Sequence, residues 1–182
     1  MKHVRTRTLE PVLWKNGLGT TREIARGSGE QGVVWRVSLA DVEADGPFST
    51  FPGMSRILTV VEGDGFDLVG PATPLNARFS DPLRFSGDLE LWCRLEAGPV
   101  RNFNVIFDPV QCAASVDCLT GEDPHKLQAG PNEVLCLFSV YKGCSIDGHR
   151  VEPTEAAVLK DGNFTTIGFE DSITLLARLK NR

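Results

Sequence analysis

The densest run of chemistry-bearing residues lies near the start of the chain: Trp14-Lys15-Asn16-Gly17-Leu18-Gly19-Thr20-Thr21-Arg22-Glu23-Ile24. Two glycines two positions apart permit a tight turn and a close approach of backbone to ligand. Around such a turn Lys15, Asn16 and Arg22 supply donors suited to an anion. The same residues also describe an ordinary surface turn entering an edge strand at residues 21–25. The pattern is not a phosphate-binding P-loop, which needs Gly-Lys-Ser/Thr after a four-residue gap.

Two arginines raise a question of parity. In Val33-Val34-Trp35-Arg36-Val37-Ser38-Leu39 the side chains alternate, so Arg36 and Ser38 share one face while Trp35, Val37 and Leu39 take the other. In a sheet packed on its apolar face, Arg36 faces water. In a small barrel whose lumen forms the site, the parity inverts and Arg36 points inward. Arg56, heading Arg56-Ile57-Leu58-Thr59-Val60-Val61, poses the same question. Two arginines converging on a lumen need a carboxylate, from the protein or from a ligand, because an isolated buried charge is too costly.

Two loops offer further candidates. Asp45-Gly46-Pro47-Phe48-Ser49-Thr50-Phe51-Pro52-Gly53 is constrained by two prolines and two glycines. Phe48 and Phe51 either wall an apolar pocket or plug a barrel mouth, and Ser49 or Thr50 offers a hydroxyl. In Phe85-Ser86-Gly87-Asp88, Asp88 either caps the backbone amides of a turn or partners one of the arginines. Metal and covalent chemistry find little support. His3, His125 and His149 are isolated, with no His-x-His and no clustered Cys/His ligand set. No Ser-His-Asp arrangement and no G-x-S-x-G is present. The five cysteines contain no CxxC pair and read as small buried hydrophobes of a reducing compartment. The expectation is a site with no metal and no cofactor.

The elements that must position these residues are strands. Residues 33–39, 56–61, 89–95 and 102–107 alternate or run apolar over strand length, separated by Gly-Pro, Pro-Gly and Gly-Asp breakers. Residues 66–69 read as the hairpin partner of residues 56–61 across Glu62-Gly63-Asp64-Gly65. The second half repeats the first faintly. Leu135-Cys136-Leu137-Phe138-Ser139-Val140-Tyr141-Lys142-Gly143 resembles the strand leading into Gly63, and a later Gly beside Asp recurs at Gly87-Asp88 and Asp161-Gly162. Strand, glycine turn, strand, Gly-Asp turn, strand describes a small jelly-roll barrel, here duplicated. Residues 113–132 read as the connecting loop.

Composition agrees with this. In 182 residues, 19 basic and 24 acidic side chains give a net charge of −5, which excludes a generic basic nucleic-acid surface. With 41% hydrophobic and 24% charged residues the chain is globular, and 18 Gly and 11 Pro against 2 Met favour turn-rich β structure over a helical bundle. No stretch approaches the ~18 apolar residues of a membrane span, and the first residues lack a signal-peptide core. A cytoplasmic location is expected.

At these residues the sequence resembles the HutD/Ves family, bacterial proteins with a double-cupin fold. The matching pieces are W-K-N-G-x-G-T-x-R-E-I at residues 14–24, W-R-x-S-x-A at 35–40 and D-G-P-F-S-x-F-P-G at 45–53. R-x-L-x-x-x-E-G at 56–63, F-S-G-D at 85–88 and F-N-V at 103–105 follow in order. Together they span about half the chain; residues 112–182 match only a general cupin pattern. Asn102 stands where the resemblance leads one to expect Asp before Phe-Asn-Val. The resemblance implies an all-β double cupin, with an N-terminal barrel over residues 1–110 carrying the site and a C-terminal barrel over 111–182, strands being exchangeable between them. It also implies a cytoplasmic, dimer-forming modulator of histidine utilisation. The place where a cupin carries His-x-His holds Ser49-Thr50-Phe51-Pro52-Gly53, in keeping with the absence of the usual metal.

The functional expectation is a binder of a carboxylate intermediate of histidine breakdown (urocanate, formiminoglutamate or formylglutamate). Arg36, Arg56 and Lys15 form its anion clamp, with Arg22 as a further donor. Asn16, Ser38, Ser49 and Asn104 are neutral partners and Phe48 an apolar wall. Asp88 or Glu23 would hold the arginines when the site is empty. The alternative is a metal-independent hydrolase or isomerase with Asp88 or Glu23 as general base, and a third reading is an interaction module with an exposed β edge. The partners expected are the carboxylate, a second copy of the chain and a regulatory protein, with no nucleic acid and no membrane.

Overall fold

The computed structural model describes residues 1–30, 32–71, 74–121, 124–160, 164–169 and 172–182. In chain order the strands are β1 (Lys2–Val4), β2 (Val12–Leu13), β3 (Gly19–Gly29), β4 (Gly32–Val42), β5 (Gly46–Phe48), β6 (Ser55–Glu62), β7 (Phe66–Val69), β8 (Leu75–Ala77), β9 (Leu83–Ser86), β10 (Leu91–Leu95) and β11 (Val100–Phe107). They continue with β12 (Cys112–Leu119), β13 (His125–Gln128), β14 (Glu133–Tyr141), β15 (Cys144–Ile146), β16 (His149–Val151), β17 (Ala156–Lys160), β18 (Phe164–Phe169) and β19 (Ile173–Asn181). A 3-10 turn spans Thr6–Thr8. Among the described residues no helix is long and apolar enough to cross a membrane.

The chain divides into two units, one of Glu10–Pro109 and one of Met1–Leu9 with Val110–Arg182. In the first, a six-stranded sheet ordered β2-β3-β4-β11-β6-β9 faces a four-stranded sheet ordered β5-β10-β7-β8. Val42, Leu58, Val60, Phe85 and Val100 from the larger sheet meet Phe48, Phe66, Leu68, Ala77 and Cys93 from the smaller in one buried cluster. Two sheets closed over an apolar interior make a barrel of the jelly-roll kind. The other unit repeats the plan, with sheets ordered β1-β17-β14-β19-β12 and β13-β18-β15-β16. Its interior is filled by aliphatic side chains, among them Leu127, Leu135, Leu137, Ile146, Leu159 and Ile167.

Two expectations are corrected. Residues 66–69 follow residues 56–61 across a turn but do not pair with them: β7 pairs with β10 and β8, while β6 pairs with β11 and β9. Glu62-Gly63-Asp64-Gly65 is the corner at which the chain leaves one sheet for the other. Residues 113–132 are not a loop but hold most of β12 and all of β13, whose polar alternation reflects strands half exposed to water. Residues 1–9 group with residues 110–182, because β1 pairs with β17 in the register His3↔Ala157. Three residues are too few to show a hydrophobic period that would reveal this. His3 Nε2 lies 2.7 Å from Glu155 Oε2, and the Thr6 hydroxyl donates to the Thr154 carbonyl, fastening the segment. Of the repeat, Asp161-Gly162 lies outside the described residues.

The corner recurs in both units. Gly63 has φ +92° and a Cβ there would lie 2.7 Å from the Pro99 carbonyl oxygen; Gly143 has φ +80° and would meet the Val151 carbonyl at the same 2.7 Å. Each position demands glycine twice, for its left-handed backbone and for the backbone packed against it. Gly63→Ala is expected to lower the unfolding midpoint by at least the ~2–4 °C that corresponds to 1 kcal/mol in a chain of this size. Gly98→Ala, with φ +75° and nothing within 4 Å, is expected to cost less. Scanning calorimetry of the two variants checks this, and equal shifts would contradict it.

Candidate ligand-binding site

The face of the six-stranded sheet that looks into the 10–109 barrel is organised in rows set by strand register. Arg36, Ile106 and Arg56 are opposite one another on β4, β11 and β6, and Phe85 of β9 extends the row. The next row runs Glu23, Ser38, Asn104, Leu58, and the third Thr21, Ala40, Asn102, Val60. Val12 of β2 extends the third row at the sheet edge. Trp35, Val37 and Leu39 occupy the other face, so the parity of β4 directs Arg36 into the lumen. Above these rows is a cavity of about 260 Å³, just below the ~300–1,000 Å³ usual for small-molecule pockets.

Arg56 is the buried charge of this cavity, 5% exposed. It donates to the Ser49 carbonyl at 3.0 Å and to Asn104 Oδ1 at 3.3 Å, while its Nε has no partner. The rings of Phe48, Phe51 and Phe85 lie 4.4, 5.1 and 5.2 Å from its guanidinium carbon. Arg36 stands 5.7 Å from the centre of the Phe51 ring, so one aromatic ring is approached by two cations. Burial, and then the charge of Arg36, pull the Arg56 guanidinium down to about 9, which leaves it charged at neutral pH. Among the described residues neither arginine forms an ion pair with a carboxylate.

Loops hold the aromatic wall in place. Phe51 N–H donates to the Gly87 carbonyl at 2.7 Å, and Gly87 N–H donates to the Met54 carbonyl at 2.8 Å. A side chain at Gly87 would collide with the Phe51 carbonyl, so the Phe85–Asp88 turn can press directly on the loop carrying Phe51. The Asp88 carboxylate accepts from Gly53 N–H at 2.8 Å and from the Ser86 hydroxyl at 2.9 Å. The Gly53 bond first, then that of Ser86, lower the Asp88 carboxyl below its usual range. At the other end, Trp14 donates its indole N–H to the Thr21 hydroxyl at 2.8 Å and borders the cavity.

Of the residues singled out in the sequence, Arg36, Phe48, Ser49, Arg56 and Asn104 come together around the cavity. Ser38 lies in the floor between Arg36 and Ala40, fully buried, its hydroxyl without a partner. Four others lie elsewhere. Lys15 is exposed on the turn. Asn16 serves the turn itself, accepting from Leu18 N–H at 3.1 Å and donating to the Pro47 carbonyl at 3.4 Å. Asp88 staples a loop and touches neither arginine. Arg22 points to the opposite face, because Thr21 and Glu23 take the cavity side of β3, and it pairs with Asp41 at 2.5 Å. Glu23 borders the cavity but pairs with Arg26 at 3.5 Å rather than with the lumen arginines. Phe51, offered with Phe48 as a wall, also lines the cavity, and Trp14, Thr21 and Asn102 are lining residues not singled out as ligand contacts. Period-two counting along β3 and β11 would have found Thr21 and Asn102.

Class and family can now be stated. The chain is a double cupin with a donor-rich cavity in the 10–109 barrel. It belongs to the HutD family, whose model matches residues 5–177. An uncharacterised 21.2 kDa protein in the hutC 3′ region of Pseudomonas putida is 43% identical over 129 residues, 69% of this chain and 66% of that protein, just under two thirds of its length. That relative ties the family to a histidine-utilisation gene region. The structure of HutD from Pseudomonas fluorescens SBW25 matches with TM-score 0.88 at 28% identity, over 100% of this chain and 98% of that one. A cupin 2 conserved barrel domain protein from Leptotrichia buccalis matches with TM-score 0.60 at 9% identity over 100% and 96%, a likeness of fold alone.

Two outcomes follow from this geometry. Arg56→Met removes a buried charge that has only neutral partners, so the unfolding midpoint should hold or rise. A fall of several degrees in a thermal melt would make Arg56 a structural residue instead. On the outer face, burial works to raise the Asp41 carboxyl, but the hydrogen bond and charge of Arg101, then those of Arg22, outweigh it and hold it below its ordinary value. A depressed folded-state value gives stability that is present above about pH 4 and lost as pH falls through that value. Asp41→Asn should therefore be less stable at neutral pH and lose less stability on acidification, which melts across an acid series would show.

Proposed function

We propose that the 10–109 barrel binds a small carboxylate and that this occupancy tunes histidine utilisation, the ligand being an intermediate of histidine degradation. The observation that carries this is the buried Arg56, held by a carbonyl, an amide oxygen and three aromatic rings, with Arg36 beside it and, among the described residues, no carboxylate paired to either. Such a pair is costly when empty and is repaid by an anion that takes both guanidinium groups. Urocanate, formiminoglutamate and formylglutamate are all carboxylates, and the hutC-region location of a relative points to the same chemistry. Formate, the condition under which HutD from Pseudomonas fluorescens SBW25 was solved, is the smallest probe of the arginine end.

Calorimetric titration with formate, histidine, urocanate, formiminoglutamate and formylglutamate, one at a time, tests the reading. One of the three intermediates is expected to saturate the site without forming product by mass spectrometry. Arg36→Ala or Arg56→Ala should weaken it by about tenfold or more, the scale of one charged hydrogen bond. Binding unchanged in both variants, or absent for every compound, would overturn the proposal. Product formation would replace it with an enzyme in which Glu23 is the carboxylate bordering the cavity.

A further inference from the structure

Resting on that reading, we infer that the ligand is a carboxylate joined to an apolar body bearing one hydrogen-bond donor, and that Asn102 Oδ1 receives this donor. The cavity has two unlike ends. The polar groups of the arginine row are all donors, flanked by aromatic rings and Ile106. The third row, four residues away along β11 or about 13 Å of strand, is apolar at Val12, Ala40 and Val60. Trp14 adds a ring there whose N–H is already given to Thr21.

Amid these apolar groups stands Asn102, 1% exposed and bordering the cavity. Its orientation is fixed, because Nδ2 donates to the Ala40 carbonyl at 3.2 Å and an amide oxygen in that place would face another oxygen. Oδ1 is thereby left without a partner. A buried acceptor with no donor is destabilising, and a site built around one rejects analogues that lack the matching N–H or O–H. The partnerless Ser38 hydroxyl, one row nearer the arginines, can donate or accept and so imposes no such demand. Glu23 already has Arg26.

The test compares trans-urocanate with 3-(2-furyl)acrylate, which keeps the acrylate and a flat five-membered ring but lacks the ring N–H. Titration at about pH 8 keeps the imidazole neutral. The full chain is expected to bind urocanate at least about tenfold more tightly. Asn102→Leu should bring urocanate down to the affinity of the furan compound. Equal affinities in the unmodified protein, or a preference that survives Asn102→Leu, would overturn the inference while leaving carboxylate binding intact. Failure of both compounds to bind the unmodified protein would overturn this inference, while binding of formylglutamate or formiminoglutamate in the titrations above would keep the carboxylate reading. The comparison within the unmodified protein decides the matter even where a variant does not fold.

Discussion

A guanidinium taken out of water without a carboxylate is the constraint around which the 10–109 barrel is arranged. Desolvation of such a cation costs several kcal/mol even after relaxation, and the barrel offsets this with neutral groups. The Ser49 carbonyl and Asn104 Oδ1 take two of its N–H groups, and three phenylalanine faces surround its carbon. Each device depends on another element. Ser49 and Phe51 sit on a loop pinned by the Phe85–Asp88 turn, and Asn104 is held in register between β4 and β6. On the proposed reading, donors fixed in advance need little rearrangement to take an anion.

The two barrels share a plan but not an interior. Both turn their corner on a left-handed glycine pressed against a carbonyl, and both close one large sheet over a four-stranded one. In the 10–109 barrel, polar and charged residues enter the lumen beside the apolar cluster. In the other barrel, leucine and isoleucine fill the corresponding space.

Much of the frame was legible because glycine, proline and alternation act locally. The strands at 33–39, 56–61 and 102–107 announced themselves, and Gly63 and Gly143 stood out as matching glycines at the end of similar strands. Pairing was harder, since a strand ending in a glycine corner looks in sequence like half of a hairpin. For the site, the deciding rule was parity. Applied to β4 it raised the possibility that Arg36 enters the lumen beside Ser38. Left unapplied to β3, it allowed Arg22 to be grouped with Lys15 and Asn16, although Thr21 and Glu23 are the residues on the cavity side. Asp88 was ambiguous for a different reason: a carboxylate next to glycine suits a turn and a counter-ion equally, and only the position of Gly53 settles which. The Ala40 carbonyl that orients Asn102 lies 62 residues away along the chain, beyond any local pattern.

The attachment of β1 to β17 has a consequence for the order of events during synthesis. His3 and Glu155 are 152 positions apart, so at ~5–20 residues per second the first strand waits roughly 8–30 s for its neighbour to be made. Residues 10–109, with all their strand partners already present, can close long before then. The waiting strand is short and carries Lys2 and His3, a composition that discourages pairing with other nascent chains. Capture of this edge is thus among the last steps in maturation, and the pace of the ribosome bears on how soon the second barrel is complete.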